Sequence, residues 1–214
     1  MDSNKRSVPP QEAKHRRRDI IVALVLISTA MGAWQVFRYR GASDAASLRP
    51  PHLLRLSAPH PLPVIRFLDE SGNALSLERL RGKALLLNVW ATWCGPCRKE
   101  MPALDRVQAR FGGPNFEVIA LAADVGGIDA VRAFYTALKI ENLAIYVDKD
   151  LSAMRALGVT ALPTTLLVDP RGREIARSFG AADWESREAE AAIHGLLGKP
   201  LAELKDAAGE ASGR

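Results

Sequence analysis

An almost unbroken apolar run, Ala84-Leu85-Leu86-Leu87-Asn88-Val89-Trp90, is the most restrictive feature of this 214-residue chain. A strand with no polar alternation has to be covered on both faces, which calls for a sheet with helices packed on each side. Asn88 is the one polar residue in the run. The only two cysteines of the chain follow within a few positions, in Trp93-Cys94-Gly95-Pro96-Cys97.

The flanking sequence supplies the layers that such a strand needs. From 95 to about 111, Met101, Leu104, Val107 and Phe111 recur at three- and four-residue spacing and predict a helix, with a kink expected at Pro102. Residues 116–122 predict a second buried strand, and 128–138 an amphipathic helix with Val131, Phe134, Tyr135 and Leu138 on one side. Beyond it, 143–147 is strand-like, 151–157 a short helix, and 164–168 and 174–179 two strands joined by the turn Asp169-Pro170-Arg171-Gly172. A last helix is expected over 183–197. Upstream, 63–82 breaks at Asp69-Glu70-Ser71-Gly72-Asn73, which fits a hairpin or a short edge strand. The expected class is α/β, one central mixed sheet flanked by helices, and the length suits one domain with extensions.

Charge divides the chain unevenly. The first 40 residues hold eight Lys/Arg against three acids, whereas 41–214 hold 21 of each sign. The globular part therefore has no basic excess, and nucleic acid is not an expected partner. Ile20 to Phe37 is an uncharged run of 18 residues. As a helix rising about 1.5 Å per residue it nearly crosses a hydrocarbon core of about 30 Å. The cluster Lys14-His15-Arg16-Arg17-Arg18 precedes it, which keeps the N-terminus cytoplasmic and sends the remainder outward. Trp34 and Tyr39 would sit near the outer interface. A cleaved signal peptide is the competing reading, but no A-x-A pattern follows closely. Both export the domain. The expected organisation is a basic cytoplasmic tail over 1–19, a transmembrane anchor over 20–37, a flexible Pro-containing linker over 38–60, the folded domain over 61–198 and a loosely ordered tail over 199–214.

A Cys-x-x-Cys pair in an exported chain is a structural disulfide, half of a metal site or a redox dithiol. A bridge closing so short a loop restricts the unfolded chain little. A zinc site wants about four ligands, and the remaining candidates His15, His52, His60 and His194 have no matching spacing. The redox reading remains and has a physical basis. A strand ending at Trp90 and a helix starting near Gly95 put Cys94 at a helix N-terminus, where unpaired N–H groups and the macrodipole favour thiolate. Pro96 suits the first turn. Cys94 is then the exposed attacking thiol and Cys97 the covered, resolving one.

The string Trp90-Ala91-Thr92-Trp93-Cys94-Gly95-Pro96-Cys97-Arg98-Lys99-Glu100-Met101-Pro102 resembles the TlpA/ResA-like, membrane-anchored branch of the thioredoxin superfamily, over residues 61–198. The resemblance implies a thioredoxin-like fold whose extra strand and helix around 143–157 are the central insertion of that branch. It implies a single-pass protein of a bacterial cytoplasmic membrane, with its catalytic domain facing the periplasm or cell exterior. It also implies that Gly158-Val159-Thr160-Ala161-Leu162-Pro163-Thr164-Thr165 is a loop with a cis proline at Pro163, opposite the dithiol, where Leu162 offers backbone to a client. Trp93, Gly95 and Pro96 complete the expected client-binding surface. Trp90 is expected to pack in the core. Glu100 is either a proton carrier for the thiols, which needs partial burial, or a solvated glutamate paired with an arginine. Thioredoxin has a buried aspartate at the place of Asn88. An amide does not titrate, so any such proton work falls to Glu100.

The activity implied is reduction of protein disulfides with no bound cofactor, for clients of the cytochrome c maturation or copper-centre assembly type. A membrane-embedded thiol donor would supply the electrons. Three other readings remain. One is a disulfide-donating oxidase, which differs only in potential, and another is an inactive thioredoxin-like adaptor, hard to reconcile with an intact dithiol. The third is a Cu(I) chaperone using both thiolates, for which Met101 and Met154 are conceivable third ligands. A peroxidase would need Pro and Thr where Leu87 and Ala91 stand.

Overall fold

The computed structural model describes residues 48–198. The expected anchor over 20–37, its basic flank, the first part of the linker and the tail from 199 lie outside the described residues. Among the described residues, no helix is long and apolar enough to cross a membrane.

One eight-stranded sheet organises the described chain, in the order β1-β8-β7-β4-β5-β6-β2-β3. Its strands are β1 (Leu54–Pro61), β2 (Arg66–Leu68), β3 (Ala74–Ser76), β4 (Ala84–Trp90), β5 (Phe116–Ala122), β6 (Tyr146–Val147), β7 (Thr164–Val168) and β8 (Arg173–Phe179). The helices are α1 (Gly95–Phe111), α2 (Gly127–Leu138), α3 (Ser152–Ala156) and α4 (Arg187–Leu196). β4 pairs parallel with β5 and antiparallel with β7, so the sheet is mixed, as expected.

The unbroken apolar run of β4 is explained by two cores. Ala84, Leu86 and Trp90 face one core with buried residues of α1, α2 and α4, including Met101, Leu104, Phe134 and Ile193. Leu85, Leu87 and Val89 face the other, with Ile65, Phe67, Ala153 and Leu157. Alternation puts Asn88 on the first face, beneath α1 and α4. α1 is continuous through Pro102.

Three expectations need correction. The linker expected over 38–60 ends early, because β1 pairs with β8, with Leu54 opposite Arg177 and Pro61 opposite Arg173. All eight β1 side chains are exposed, so burial left no alternation in the sequence. The strand is held by its backbone at a sheet edge, where prolines are tolerated. The chain before it is attached as well: Arg49 bridges Ala182, and the Arg49 carbonyl accepts from Asp183 N at 2.7 Å. The strand expected over 143–147 shortens to two residues. Asp105 of α1 instead takes the N–H groups of Glu141, Asn142 and Leu143 at 3.2, 2.7 and 3.0 Å. α4 starts at Arg187 rather than 183, capped by Ser186, whose Oγ accepts from Ala189 N at 3.3 Å.

Candidate active site: a dithiol above a buried carboxylate

β4 ends at Trp90 and α1 starts at Gly95, and the four residues between them are held in place. Asp124, buried just beyond β5, accepts from Thr92 N at 3.0 Å, from the Thr92 hydroxyl and from Gly126 N at 2.9 Å. Arg98 donates to the Thr92 carbonyl at 3.0 Å and lies over the Phe134 ring, 5.0 Å from its centroid. This corner fixes Cys94 as the N-cap of α1, with extended backbone at φ −77 and ψ 106. Its Sγ accepts from Cys97 N at 3.2 Å. Cys94 and Cys97 form a disulfide, with S–S 2.02 Å and Cα–Cα 5.3 Å. The Cys94 sulfur lies within reach of the helix-start N–H groups, and no acidic residue stands in the first turn to oppose a thiolate there. Cys97 is fully covered and Cys94 keeps 6% of its surface, so Cys94 is far less open than the exposed thiol expected from the sequence.

Trp93 stands out beside the disulfide with 70% of its surface exposed, and Gly95 and Pro96 are exposed too. They border an apolar groove of about 500 Å³ that runs from Cys94 past Leu151, Met154 and Thr160 to Leu162. The Leu162–Pro163 bond is cis, and Pro163 is buried, its carbonyl accepting from Gly180 N at 2.9 Å. Trp93, Cys94, Gly95, Pro96 and Leu162 thus line one groove, together with Leu151 and Met154. Trp90 is in the core, as expected. Met101 is buried under α1, and Met154 lines the groove.

Glu100 is not the solvated, ion-paired glutamate. It has no exposed surface. Its Oε1 accepts from Asn88 Nδ2 at 2.8 Å, and its Oε2 from Ala182 N at 2.9 Å and Trp184 Nε1 at 3.1 Å. Burial pushes its carboxyl up to about 7, against these three bonds, which favour the ionised form. Asn88 Nδ2 also donates to Thr165 Oγ1 at 2.9 Å. Glu100 lies three positions after Cys97, about one helical turn along α1. The arrangement sets a buried carboxyl, its proton affinity raised by burial, about one turn along α1 from the covered thiol.

Ala182, Trp184, Thr165 and Asp124 are absent from the sequence-derived site. A lone tryptophan in the polar stretch Ala181-Ala182-Asp183-Trp184-Glu185 was the available signal, since indole N–H groups seek a partner when buried. Asp124 follows a buried strand and precedes Gly126-Gly127, a turn signature.

The redoxin family model matches residues 58–193. The chain belongs to the redoxin family. This redoxin is 34% identical over 120 residues to the thiol-disulfide oxidoreductase ResA of Bacillus thuringiensis (strain Al Hakam), a match covering 56% of the chain and 68% of that relative. Over 107 residues it is 34% identical to ResA of Bacillus subtilis (strain 168), covering 50% and 59%. Among solved structures, the redoxin is similar to a Chlorobium tepidum protein named as thiol:disulfide interchange protein DsbE. There the TM-score is 0.59 at 27% identity, over 66% of this chain and 99% of the other. A thioredoxin structure from Neisseria meningitidis gives a TM-score of 0.56 at 25% identity, over 66% and 92%. The fold is thioredoxin-like, the redoxin falls in the ResA/TlpA-like part of the thioredoxin superfamily, and it is a thiol-disulfide oxidoreductase.

Proposed function

We propose that this redoxin is a membrane-tethered reductase of protein disulfides that works outside the cytoplasmic membrane. The observation that carries the reading is Glu100, a buried acid poised near neutrality one turn below the resolving thiol Cys97. Cys94, as thiolate, attacks one sulfur of a client disulfide; that bond breaks, the other client sulfur leaves as thiolate and takes a proton. Glu100 then accepts the Cys97 proton, the Cys97 thiolate attacks Cys94 Sγ, and the client is released with both sulfurs reduced. Two electrons pass to the client, and the redoxin is left as the disulfide. A membrane-embedded thiol donor returns two electrons to it.

The groove past Leu151, Met154 and Leu162, with exposed Trp93 at its mouth, receives the client chain. Client cysteines of the kind that must be reduced before haem or copper is attached are the class we assign. The uncharged run 20–37 behind its arginine cluster supports an anchor with the catalytic domain outside. Gly95-Pro96 between the cysteines, the thioredoxin-like pairing, supports the reducing direction. The test is the reduction potential of the full chain, equilibrated in thiol redox buffers. A value near about −270 mV or below is expected, whereas one near about −120 mV overturns the direction and makes the protein a disulfide donor.

A further inference from the structure

Three polar side chains cross the sheet in a row beneath α1 and α4. Asn88 of β4 is registered opposite Thr165 of β7, and Thr165 opposite Ser178 of β8. All three are buried. The row starts at Glu100, through the 2.8 Å bond from Asn88 Nδ2, and continues through the 2.9 Å bond from the same nitrogen to Thr165 Oγ1. Two atoms along it have no hydrogen-bond partner among the described residues: Asn88 Oδ1 and Ser178 Oγ.

The two carboxyl oxygens of Glu100 are not equivalent. Oε2 already takes two donors, Ala182 N and Trp184 Nε1, neither of which titrates at physiological pH. Oε1 takes one. A proton arriving at Glu100 therefore settles on Oε1, where its O–H would point at the Asn88 NH2, donor against donor. An amide carries an acceptor and a donor on one rotatable end. Turning it over replaces Nδ2 by Oδ1, the atom now stranded, which then accepts from the Glu100 O–H and from the Thr165 O–H. The amide donates two hydrogen bonds in the first state and accepts two in the second, where its NH2 instead of its Oδ1 is left without a partner. In the ionised state Thr165 Oγ1 is an acceptor from the Asn88 amide.

We propose that Asn88 is a two-state positioning residue, whose side-chain amide turns over as Glu100 gains or loses its proton. This rests on the reading of Glu100 as a proton carrier and explains how a carboxyl without solvent changes state without losing its partner. No charged side chain enters the balance: burial and the bonds from Ala182, Asn88 and Trp184 account for the shift at Glu100.

The test uses the full chain in detergent micelles with the Cys94–Cys97 disulfide closed, so that neither thiol titrates. Glutamate carboxyls carry 13C and asparagine side chains 15N, with Glu100→Gln and Asn88→Leu proteins assigning the two signals. The Glu100 carboxyl carbon reports proton binding, and the nuclear Overhauser contact between the Asn88 NH2 protons and the Thr165 methyl reports the amide's orientation. The contact is expected above the Glu100 midpoint and lost below it, with the same midpoint. A contact that persists on both sides while the carbon titrates overturns the switch and leaves the Glu100 reading standing. A carbon that does not titrate in the neutral range sinks both. Asn88→Leu gives a second reading, because it removes a partner from each protonation state. The switch predicts a change in the Glu100 proton-binding constant of less than about threefold, whereas a fixed donor to the carboxylate predicts about tenfold tighter proton binding.

Discussion

Glu100 and Trp184 lie 84 positions apart in the chain, and the indole N–H of one meets the buried carboxylate of the other at 3.1 Å. Trp184 Nε1 and Ala182 N together hold Oε2, which ties the loop before α4 to the helix that starts at Cys94. Trp184→Phe keeps an aromatic ring, smaller than the indole, and removes the donor. The ionised form of Glu100 loses one bond, so its proton affinity rises further, by about 0.7 of a pH unit for a bond worth about 1 kcal/mol. The pH profile of client-disulfide reduction should move upward accordingly; an unmoved profile would show that the indole does not set this proton affinity.

Stability carries the same signature with a definite sign. The folded protein holds the Glu100 proton up to about 7, while the unfolded chain releases it near 4.5. Between those values the folded state binds more protons, so this contribution favours folding below pH 4.5 and is lost as pH rises through 7. The difference amounts to about 3 kcal/mol at most. Urea unfolding of the oxidised protein across this window should show that decline, and Glu100→Gln should remove it.

The division of labour between the cysteines is open to direct trapping. Cys97→Ser leaves the Cys94 thiolate able to attack but unable to be displaced, so mixed disulfides with clients should accumulate on non-reducing gels. Cys94→Ser should accumulate none, because Cys97 has no exposed surface from which to attack. Equal trapping by both variants would contradict the assigned order.

Asp124 carries three bonds to the corner that presents Cys94. Asp124→Ala leaves the Thr92 and Gly126 N–H groups without their partner, at a cost of about 1–3 kcal/mol for each that finds no water. Stability measured by denaturant should fall, and thiol exchange should slow as Cys94 loses its fixed place at the helix start. A fall in stability alone would assign Asp124 to folding only.

Much of this architecture was legible because it rests on local pattern. β4 is continuous because both of its faces are covered, α1 announces itself by spacing, and the dithiol marks the junction between them. Glu100 was legible as a position but not as an environment. Its burial depends on Ala182 and Trp184 arriving from the far end of the domain, and no spacing near α1 foretells that. β1 was illegible for the opposite reason: its side chains touch little, and a strand held only by its backbone leaves no periodic trace. The short strand and helix around 143–157 were legible from the sequence, whereas the anchoring of the chain before them through Asp105 was not, since one buried carboxylate serves three backbone N–H groups 36 to 38 residues away.

The bond from Asp183 N to the Arg49 carbonyl gives the domain an earlier boundary than its regular sheet suggests. A soluble fragment trimmed to residue 61 would discard the edge strand β1, and one trimmed to 54 would keep that strand but sever the stitch at Arg49. In both, the loop that presents Ala182 and Trp184 to Glu100 would lose its outer support. Proton affinities and potentials measured on such fragments would describe a loosened site, and fragments begun at 48 or before would describe the native one.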